Sequence, residues 1–135
     1  MTFVLDASVT IAWALEDEES EEASAALALV RAGGAIVPAV WFFELRNTLV
    51  VNERRGRITQ PATSAFLREL SSLPIVTDRA PNEAELIALA RQHRLTVYDA
   101  AYLELALREH VSLATLDSAL MRAARELAVP LVGIS

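Results

Sequence analysis

The sequence contains no cysteine, no lysine and no long apolar run. The absence of cysteine excludes disulfides and thiolate metal sites, and it suits a reducing compartment. No apolar stretch approaches the roughly 20 residues that a membrane-spanning helix needs, and the first residues form a strand-like segment rather than a basic leader. We therefore expect a cytoplasmic protein with no membrane partner.

The missing lysine and the scarcity of histidine narrow the possible chemistry further. All 12 basic residues are arginine, and no Gly-rich phosphate loop, lysine-dependent phosphate site or GxSxG motif is present. The two histidines, His93 and His110, fall at predicted helix ends, and we interpret both as surface residues rather than general bases. The formal net charge of -6 also disfavours broad nonspecific adhesion to nucleic acid.

The length and composition of the chain predict one domain over residues 1–135, because a chain of this length with 53% hydrophobic residues can bury a full core. Helix-forming segments alternate with short β-type runs, which lie at residues 2–6, 35–37, 74–77, 112–115 and 130–134. This alternation predicts an α/β fold with a mostly parallel sheet of about five strands and helices on both faces. The pattern leaves the strand order open.

Acidic side chains recur where these strands end. Asp6 follows the first β-type run, and Asp117 follows the run at 112–115. Because the downstream ends of parallel strands meet at one edge of a sheet, the two carboxylates are expected to lie close together. Each of them, taken alone, is equally explained as the N-cap of the following helix.

Asp99 is placed at the start of a helix predicted over about 99–109, where a capping role is again an alternative. Glu104 and Arg108 are four residues apart in this helix, and we interpret them as an ion pair on its outer face. Asp99 then projects to the other side of the helix, together with Leu103.

Glu44 has no capping explanation. It lies in a helix predicted over 39–55 that is apolar nearly all round, which indicates a helix that is largely buried or paired with another chain. At 100° per residue, Arg46 and Glu53 mark the solvent side, and Glu44 lies opposite them. An inward carboxylate is costly unless it meets a partner or a cation.

Four carboxylates in one site repel one another, so at neutral pH they either hold protons or bind a cation. Oxygen ligands favour Mg²⁺ or Mn²⁺ over zinc, which prefers histidine or cysteine. Such ions activate water and neutralise charge on a phosphodiester, which predicts metal-assisted hydrolysis. The polar residues expected to orient the carboxylates or a metal-bound water are Ser8, Asn47 and Thr115.

Together these motifs resemble PIN-domain ribonucleases, and specifically the VapC-type toxins of type II bacterial toxin–antitoxin pairs. The similarity runs through FVLDASVTIAW, VPAVWFFELRNTL, TVYDAAYLELA and SLATLDSALMRAARELAVPLV, in that order. The resemblance implies a three-layer α/β/α PIN-like fold. It also implies that Asp6, Glu44, Asp99 and Asp117 form an acidic quartet, in which Asp6 and Asp99 bind Mg²⁺ directly and the other two are further candidates.

The same resemblance implies an activity and partners. It suggests endonucleolytic cleavage of RNA, frequently tRNA or ribosomal RNA, by a homodimer that forms a hetero-oligomer with an inhibitory VapB-type antitoxin. Trp13 and the apolar helix at 40–51 are candidate contacts for either partner, or equally parts of the core. Some relatives carry a further acid where this chain has residues 118–121, SALM, so the number of metals, one or two, stays open.

Two alternatives belong to other functional classes. Phosphoaspartyl proteins, such as response-regulator receivers and haloacid-dehalogenase-like phosphatases, also place an aspartate at a strand end. They depend on a lysine, which this chain lacks, and the phosphatases need a second aspartate where this chain has Ser8. The remaining alternative is a catalytically inactive PIN-like module that only binds RNA or a protein. The presence of all four acids favours the enzyme.

Overall fold

The centre of the molecule is a sheet of four parallel strands. The structure, a computed structural model, describes residues 2–133 of the chain. Its strands are β1 (Val4–Leu5), β2 (Ala35–Pro38), β3 (Ile75–Asp78) and β4 (Leu113–Ala114). They lie in the order β3-β2-β1-β4, and each neighbouring pair is parallel. The carboxyl ends of all four strands therefore meet at one edge of the sheet.

Helices cover the sheet on both faces. Residues 2–133 contain α1 (Ala7–Ala14), α2 (Glu21–Gly33), α3 (Val40–Arg54), α4 (Gln60–Ser71), α5 (Glu83–His93), α6 (Val97–Glu109) and α7 (Ser118–Glu126), with a 3-10 turn at Glu16–Glu18. Helix α6 packs against β1, β2 and β4 with α5 and α7 beside it, whereas α1 packs against α2 and α3. This arrangement confirms the predicted three-layer α/β/α fold. In the described residues no helix is both long and apolar enough to cross a bilayer.

Most helices begin where the sequence supplies a capping side chain. A polar oxygen accepts a hydrogen bond from a first-turn backbone N–H at five helix starts, and the capping residues are Ser20, Thr59, Asn82, Thr96 and Asp117. Such caps each stabilise a helix by about 1 kcal/mol. They also fix where α6 and α7 begin, which matters because both helices carry acids of the candidate site.

The prediction of about five strands is wrong, because the described residues form four. The segment after α7 contributes one parallel bridge, between Leu113 and Leu131. The carbonyl of Pro130 accepts from the Leu113 N–H at 2.9 Å, but proline has no N–H with which to extend a ladder. At Gly133 the backbone turns to a φ of 75°. Residue 134, the end of the predicted strand, lies outside the described residues.

Glu104 lies in the core, so the prediction of an outer-face ion pair is wrong about its position. Its side chain is only 3% exposed, and it accepts a hydrogen bond from Arg108 Nε at 2.8 Å. Arg108 also donates to Asp78, at the end of β3, at 2.8 Å. The four-residue spacing identifies the ion pair correctly. It does not show that the Glu104 carboxylate is buried or that Arg108 also bonds Asp78.

Helix α3 is buried along one side only. Its buried residues include Trp41, Leu45 and Leu49, which belong to the hydrophobic core. The neighbouring side exposes Phe42 and Phe43, of which 46% and 71% are accessible. Arg46 stacks on the Phe42 ring, with its guanidinium carbon 3.5 Å from the ring centroid. A helix predicted to be apolar nearly all round thus places one side in the core and exposes several apolar side chains on the other.

Candidate active site at the carboxyl edge of the sheet

Asp6 lies at the carboxyl end of β1, where its backbone N–H donates to the carbonyl of Ala114 at 2.9 Å. It occupies the N-cap position of α1, yet its carboxylate caps no backbone N–H. Instead, Oδ2 accepts hydrogen bonds from Ser8 Oγ at 2.6 Å and from Thr115 Oγ1 at 2.7 Å. The explanation of Asp6 as a helix cap is therefore wrong, and its buried carboxylate needs another role.

The hydroxyls of Ser8 and Thr115 are both oriented by backbone amides. Ser8 Oγ accepts from the N–H of Leu116 at 2.9 Å, and Thr115 Oγ1 accepts from the N–H of Asp117 at 3.0 Å. Each hydroxyl has one hydrogen, which is left for the carboxylate of Asp6. These bonds tie the end of β1 to the end of β4 and use Oδ2, while no described residue donates to Oδ1.

Glu44 reaches the same region from α3 and is held by a residue that the sequence analysis missed. Its half-buried carboxylate accepts, through Oε1, a hydrogen bond of 2.6 Å from the hydroxyl of Tyr102 on α6. Tyr102 is fully buried. The signal that could have revealed it is the hydroxyl itself, because a buried tyrosine usually finds a polar partner.

The remaining acids enter from the first turns of two helices. The N–H of Asp99 donates to Thr96 Oγ1 at 3.0 Å, so Thr96 is the cap of α6 and the carboxylate of Asp99 is not. Asp117 does cap α7, through a bond of 3.0 Å from the Leu120 N–H to Oδ2. Asn47 is exposed on α3, and its side chain makes no hydrogen bond within residues 2–133.

The four acids share one electrostatic environment. Burial raises the pKa of Asp6 above its usual range, the hydroxyls of Ser8 and Thr115 oppose this, and the nearby charges of Asp99 and Asp117 raise it further. Burial likewise raises the pKa of Glu44, the Tyr102 hydrogen bond lowers it, and the charges of Asp6 and Asp99 add to the rise.

Asp99 completes this pattern. Burial is the main cause of its raised pKa, and the charge of Asp117 is the next. Within the described chain, none of the four carboxylates forms a salt bridge with an arginine or histidine. The site therefore concentrates negative charge that the protein itself does not neutralise.

The two histidines lie in different environments. His93 Nδ1 lies 2.9 Å from Glu126 Oε2, and 9% of the His93 side chain is exposed, so this residue is half-buried beneath an exposed glutamate rather than fully at the surface. His110 is exposed and ends α6 with a positive φ of 55°. Neither residue forms a hydrogen bond or salt bridge with the four acids in the described structure, which leaves the site with carboxylate and hydroxyl chemistry.

The donor set fits a hard divalent cation. As the side chains stand, no three acids or histidines among residues 2–133 are close enough to hold one ion together. Mg²⁺ commonly uses only one or two carboxylates and completes its shell with water and substrate phosphates. Unpaired carboxylate oxygens are the ligand type that Mg²⁺ and Mn²⁺ prefer.

Comparison with known proteins identifies the family to which the chain belongs. The PIN domain family matches residues 3–126 of the chain. Ribonuclease VapC3 from Pyrobaculum aerophilum is 34% identical over 121 residues, which cover 87% of this chain and 90% of that protein. The PIN domain match at residues 3–126 includes the positions of all four acids of the candidate site.

Solved structures share the fold. PAE2754 from Pyrobaculum aerophilum has a TM-score of 0.72 at 23% identity over 91% of this chain and 84% of its own. A toxin-antitoxin complex from Klebsiella pneumoniae gives 0.54 at 18% identity, covering 86% and 87% of the two chains. FitAcB from Neisseria gonorrhoeae gives 0.57 at 20% identity, covering 98% and 96%. The chain thus belongs to the PIN-domain family, as a VapC-type member.

Proposed function

We propose that this protein is a Mg²⁺- or Mn²⁺-dependent endoribonuclease, the toxin of a toxin–antitoxin pair. The observation that carries the proposal is the concentration of four carboxylates without cationic partners at the carboxyl edge of the sheet, with raised pKa values at Asp6, Glu44 and Asp99. Clusters of acidic side chains with perturbed pKa values are typical of active sites. The identity of 34% with Ribonuclease VapC3 supports RNA as the substrate class.

In this proposal, Asp6 and Asp99 hold the metal, with Glu44 and Asp117 as further ligands. A bound divalent ion supplies an activated water and neutralises charge on the phosphodiester. The protein supplies the positions: Ser8 and Thr115 fix Oδ2 of Asp6 and leave Oδ1 for the ion. The raised pKa of Asp6 reflects unrelieved burial and repulsion, which a cation offsets.

The same charges bear on substrate binding. Four carboxylates repel the phosphates of RNA until a cation compensates them, so RNA is expected at this edge only with the metal present. We propose tRNA or ribosomal RNA as the substrate, as the family resemblance implies, and the cytoplasm as the place of action.

Cleavage of RNA by the purified chain tests the assignment. We expect cleavage with Mg²⁺ or Mn²⁺ and none in EDTA, and we expect Asp6→Asn and Glu44→Gln to lower kcat by about 100-fold or more, since each removes transition-state stabilisation of several kcal/mol. Glu109→Gln, an exposed acid at the end of α6, is the matched control. Equal cleavage by wild type and both site variants contradicts the catalytic roles. Binding of RNA without cleavage under either ion favours the inactive binding module.

We further propose a VapB-type antitoxin as partner and a homodimer that joins it in a hetero-oligomer. The names of the Klebsiella pneumoniae toxin-antitoxin complex and Ribonuclease VapC3 support the pairing, and exposed Phe42 and Phe43 on α3 support a protein contact. Trp13, the other candidate for a partner contact, has a partner within the chain, because its Nε1 donates to the Ala23 carbonyl at 2.8 Å. A solution mass of one chain at micromolar concentration contradicts the dimer.

A further inference from the structure

Tyr102 holds Glu44 by the only hydrogen bond that any described residue donates to that carboxylate. The two oxygens are 2.6 Å apart, and the tyrosine is fully buried on α6. The phenol donates its one hydroxyl hydrogen to Glu44, as Ser8 and Thr115 donate theirs to Asp6.

This arrangement repeats across three of the four acids. In each, one carboxylate oxygen accepts from the protein: Oδ2 of Asp6, Oε1 of Glu44 and Oδ2 of Asp117. The other oxygen of each receives no hydrogen bond from residues 2–133. One oxygen thus fixes the orientation of the carboxylate, and the other stays available to a cation or its bound water.

Glu44 needs a hydrogen bond that restricts its orientation more than the aspartates do. Its side chain has three rotatable bonds and is half-buried, so freezing it at the moment of metal binding costs on the order of 1–2 kcal/mol of rotamer entropy. The rigid, buried phenol has already restricted the glutamate before the metal arrives. A neutral hydroxyl achieves this without a positive charge that would compete with the cation.

We propose that Tyr102 is a positioning residue, whose hydroxyl fixes Oε1 of Glu44 and leaves Oε2 for the divalent ion or its water. The inference deepens the proposed function and rests on it, because it assumes that Glu44 serves a metal. The competing explanation is that the hydrogen bond only satisfies a polar group at the edge of the core. The two differ in whether the effect of the hydroxyl depends on the charge of Glu44.

Calorimetric titration with Mn²⁺ and RNA cleavage, measured on Tyr102→Phe, provide the first test. We expect Mn²⁺ affinity to fall about 10-fold and kcat to fall about 10-fold, with KM for RNA unchanged within about twofold. Tyr98→Phe is the matched control, since it removes the same atom from an exposed tyrosine one turn earlier in α6. It is expected to match wild type in both measurements.

A double-mutant cycle separates positioning from a structural role. In the Glu44→Gln background, adding Tyr102→Phe is expected to change Mn²⁺ affinity by less than about twofold, because the hydroxyl acts through the carboxylate. If the hydroxyl has only a structural role, Tyr102→Phe lowers Mn²⁺ affinity as much in the Glu44→Gln background as in wild type. This result would overturn the proposal.

A spectroscopic measurement avoids any dependence on the folding of Tyr102→Phe. The chain has only two tyrosines, so protein labelled with 3-fluorotyrosine gives two fluorine resonances, which Tyr98→Phe assigns. Saturation with Mg²⁺ is expected to shift the Tyr102 resonance in wild type but not in Glu44→Gln. An unshifted resonance at saturating Mg²⁺ contradicts the proposal.

These outcomes distinguish the two hypotheses. If wild type binds Mn²⁺ but cleaves no RNA, and Tyr102→Phe still weakens binding, positioning stands and the nuclease proposal fails. If wild type cleaves RNA and Tyr102→Phe equals it in cleavage and Mn²⁺ affinity, positioning alone fails. Absence of Mn²⁺ binding by wild type overturns both.

Discussion

The acids of the candidate site are held by hydroxyl groups and backbone amides rather than by arginines. Ser8 and Thr115 hold Asp6, and Tyr102 holds Glu44. An arginine would orient these carboxylates as well, but it would also neutralise them and occupy the place of a cation. A hydroxyl restricts orientation and leaves the charge largely uncompensated, which is what a site for a hard metal ion requires.

This uncompensated charge predicts a pH-dependent stability. The pKa of Asp6 is raised above its ordinary value of 3.8, so the folded protein holds that proton more strongly than the unfolded chain. Stability from this group is therefore present at low pH and is lost as pH rises from about 4 through the raised pKa. Asp6→Asn removes this loss of stability at higher pH, because asparagine carries no charge. It also keeps a carbonyl oxygen that accepts from Ser8 and Thr115.

We accordingly expect Asp6→Asn in EDTA at pH 7 to melt at the wild-type temperature or above it, by roughly 3–5 °C if about 1 kcal/mol is relieved. The difference should shrink as pH falls toward 4, and Glu109→Gln should show no such trend. Thermal melts over this pH range provide the measurement. A large loss of melting temperature at pH 7 would show instead that the Asp6 charge stabilises the fold.

At the residue scale, the sequence identifies what chemistry is available but not every contact. Asp6, Asp117 and the hydroxyls of Ser8 and Thr115 could be proposed from residue type near the ends of predicted strands. Asp99 could be proposed from its place at a helix start, and Glu44 from its place inside an apolar helix. Whether Asp6 caps α1 or bonds Thr115 could not, because the two residues are 109 positions apart. Tyr102 was missed because its hydroxyl lies within an otherwise apolar helical stretch.

At the scale of elements, α6 connects the candidate site with the edge strand. Its first turns carry Asp99 and Tyr102, and its later turns carry Glu104 and Arg108. Arg108 donates hydrogen bonds both to Glu104 and to Asp78 at the end of β3. Glu104 is 3% exposed and Asp78 is 19% exposed, so Arg108 compensates one buried and one partly buried carboxylate. This network fastens β3, an edge strand of the sheet, to a helix that bears site residues.

Arg108→Met tests the network. We expect a loss of about 2 kcal/mol in the free energy of unfolding, because Glu104 is left buried without a partner. The loss should be smaller than for a fully buried pair, since Arg108 is 28% exposed. Urea unfolding measures it, with Arg68→Met, an exposed arginine of α4, as control. Equal stabilities of the two variants would contradict a structural role for the network.

The elements themselves were largely readable from the alternation of apolar runs and capping residues. The two wrong predictions, of a fifth strand and of an outer-face ion pair, depend on tertiary contacts that the sequence pattern does not reveal. A β-type run at 130–134 was predicted as a strand, yet only Leu131 forms a bridge in the described residues. The spacing of Glu104 and Arg108 identifies an ion pair, but it reveals neither the burial of Glu104 nor the second bond of Arg108, to Asp78 at the end of β3.

At the scale of the whole molecule, the topology gathers distant residues. The order β3-β2-β1-β4 places β1 beside β4, so Asp6 and Asp117 approach each other from opposite ends of the sequence. The class of fold follows from sequence pattern, whereas this order follows from pairings that the pattern does not encode. With a net charge of -6, two copies repel each other in general, so the proposed dimer is expected to use an exposed apolar surface such as Phe42 and Phe43.

The carboxyl edge of this sheet is proposed to be a divalent-metal site. Anomalous difference density from crystals soaked in Mn²⁺ tests it most directly. We predict a Mn²⁺ peak in contact with the carboxylates of Asp6 and Asp99 in wild type, and its loss in Asp6→Asn. Saturating Mn²⁺ that gives no peak there, or a peak only at other residues, would contradict the account.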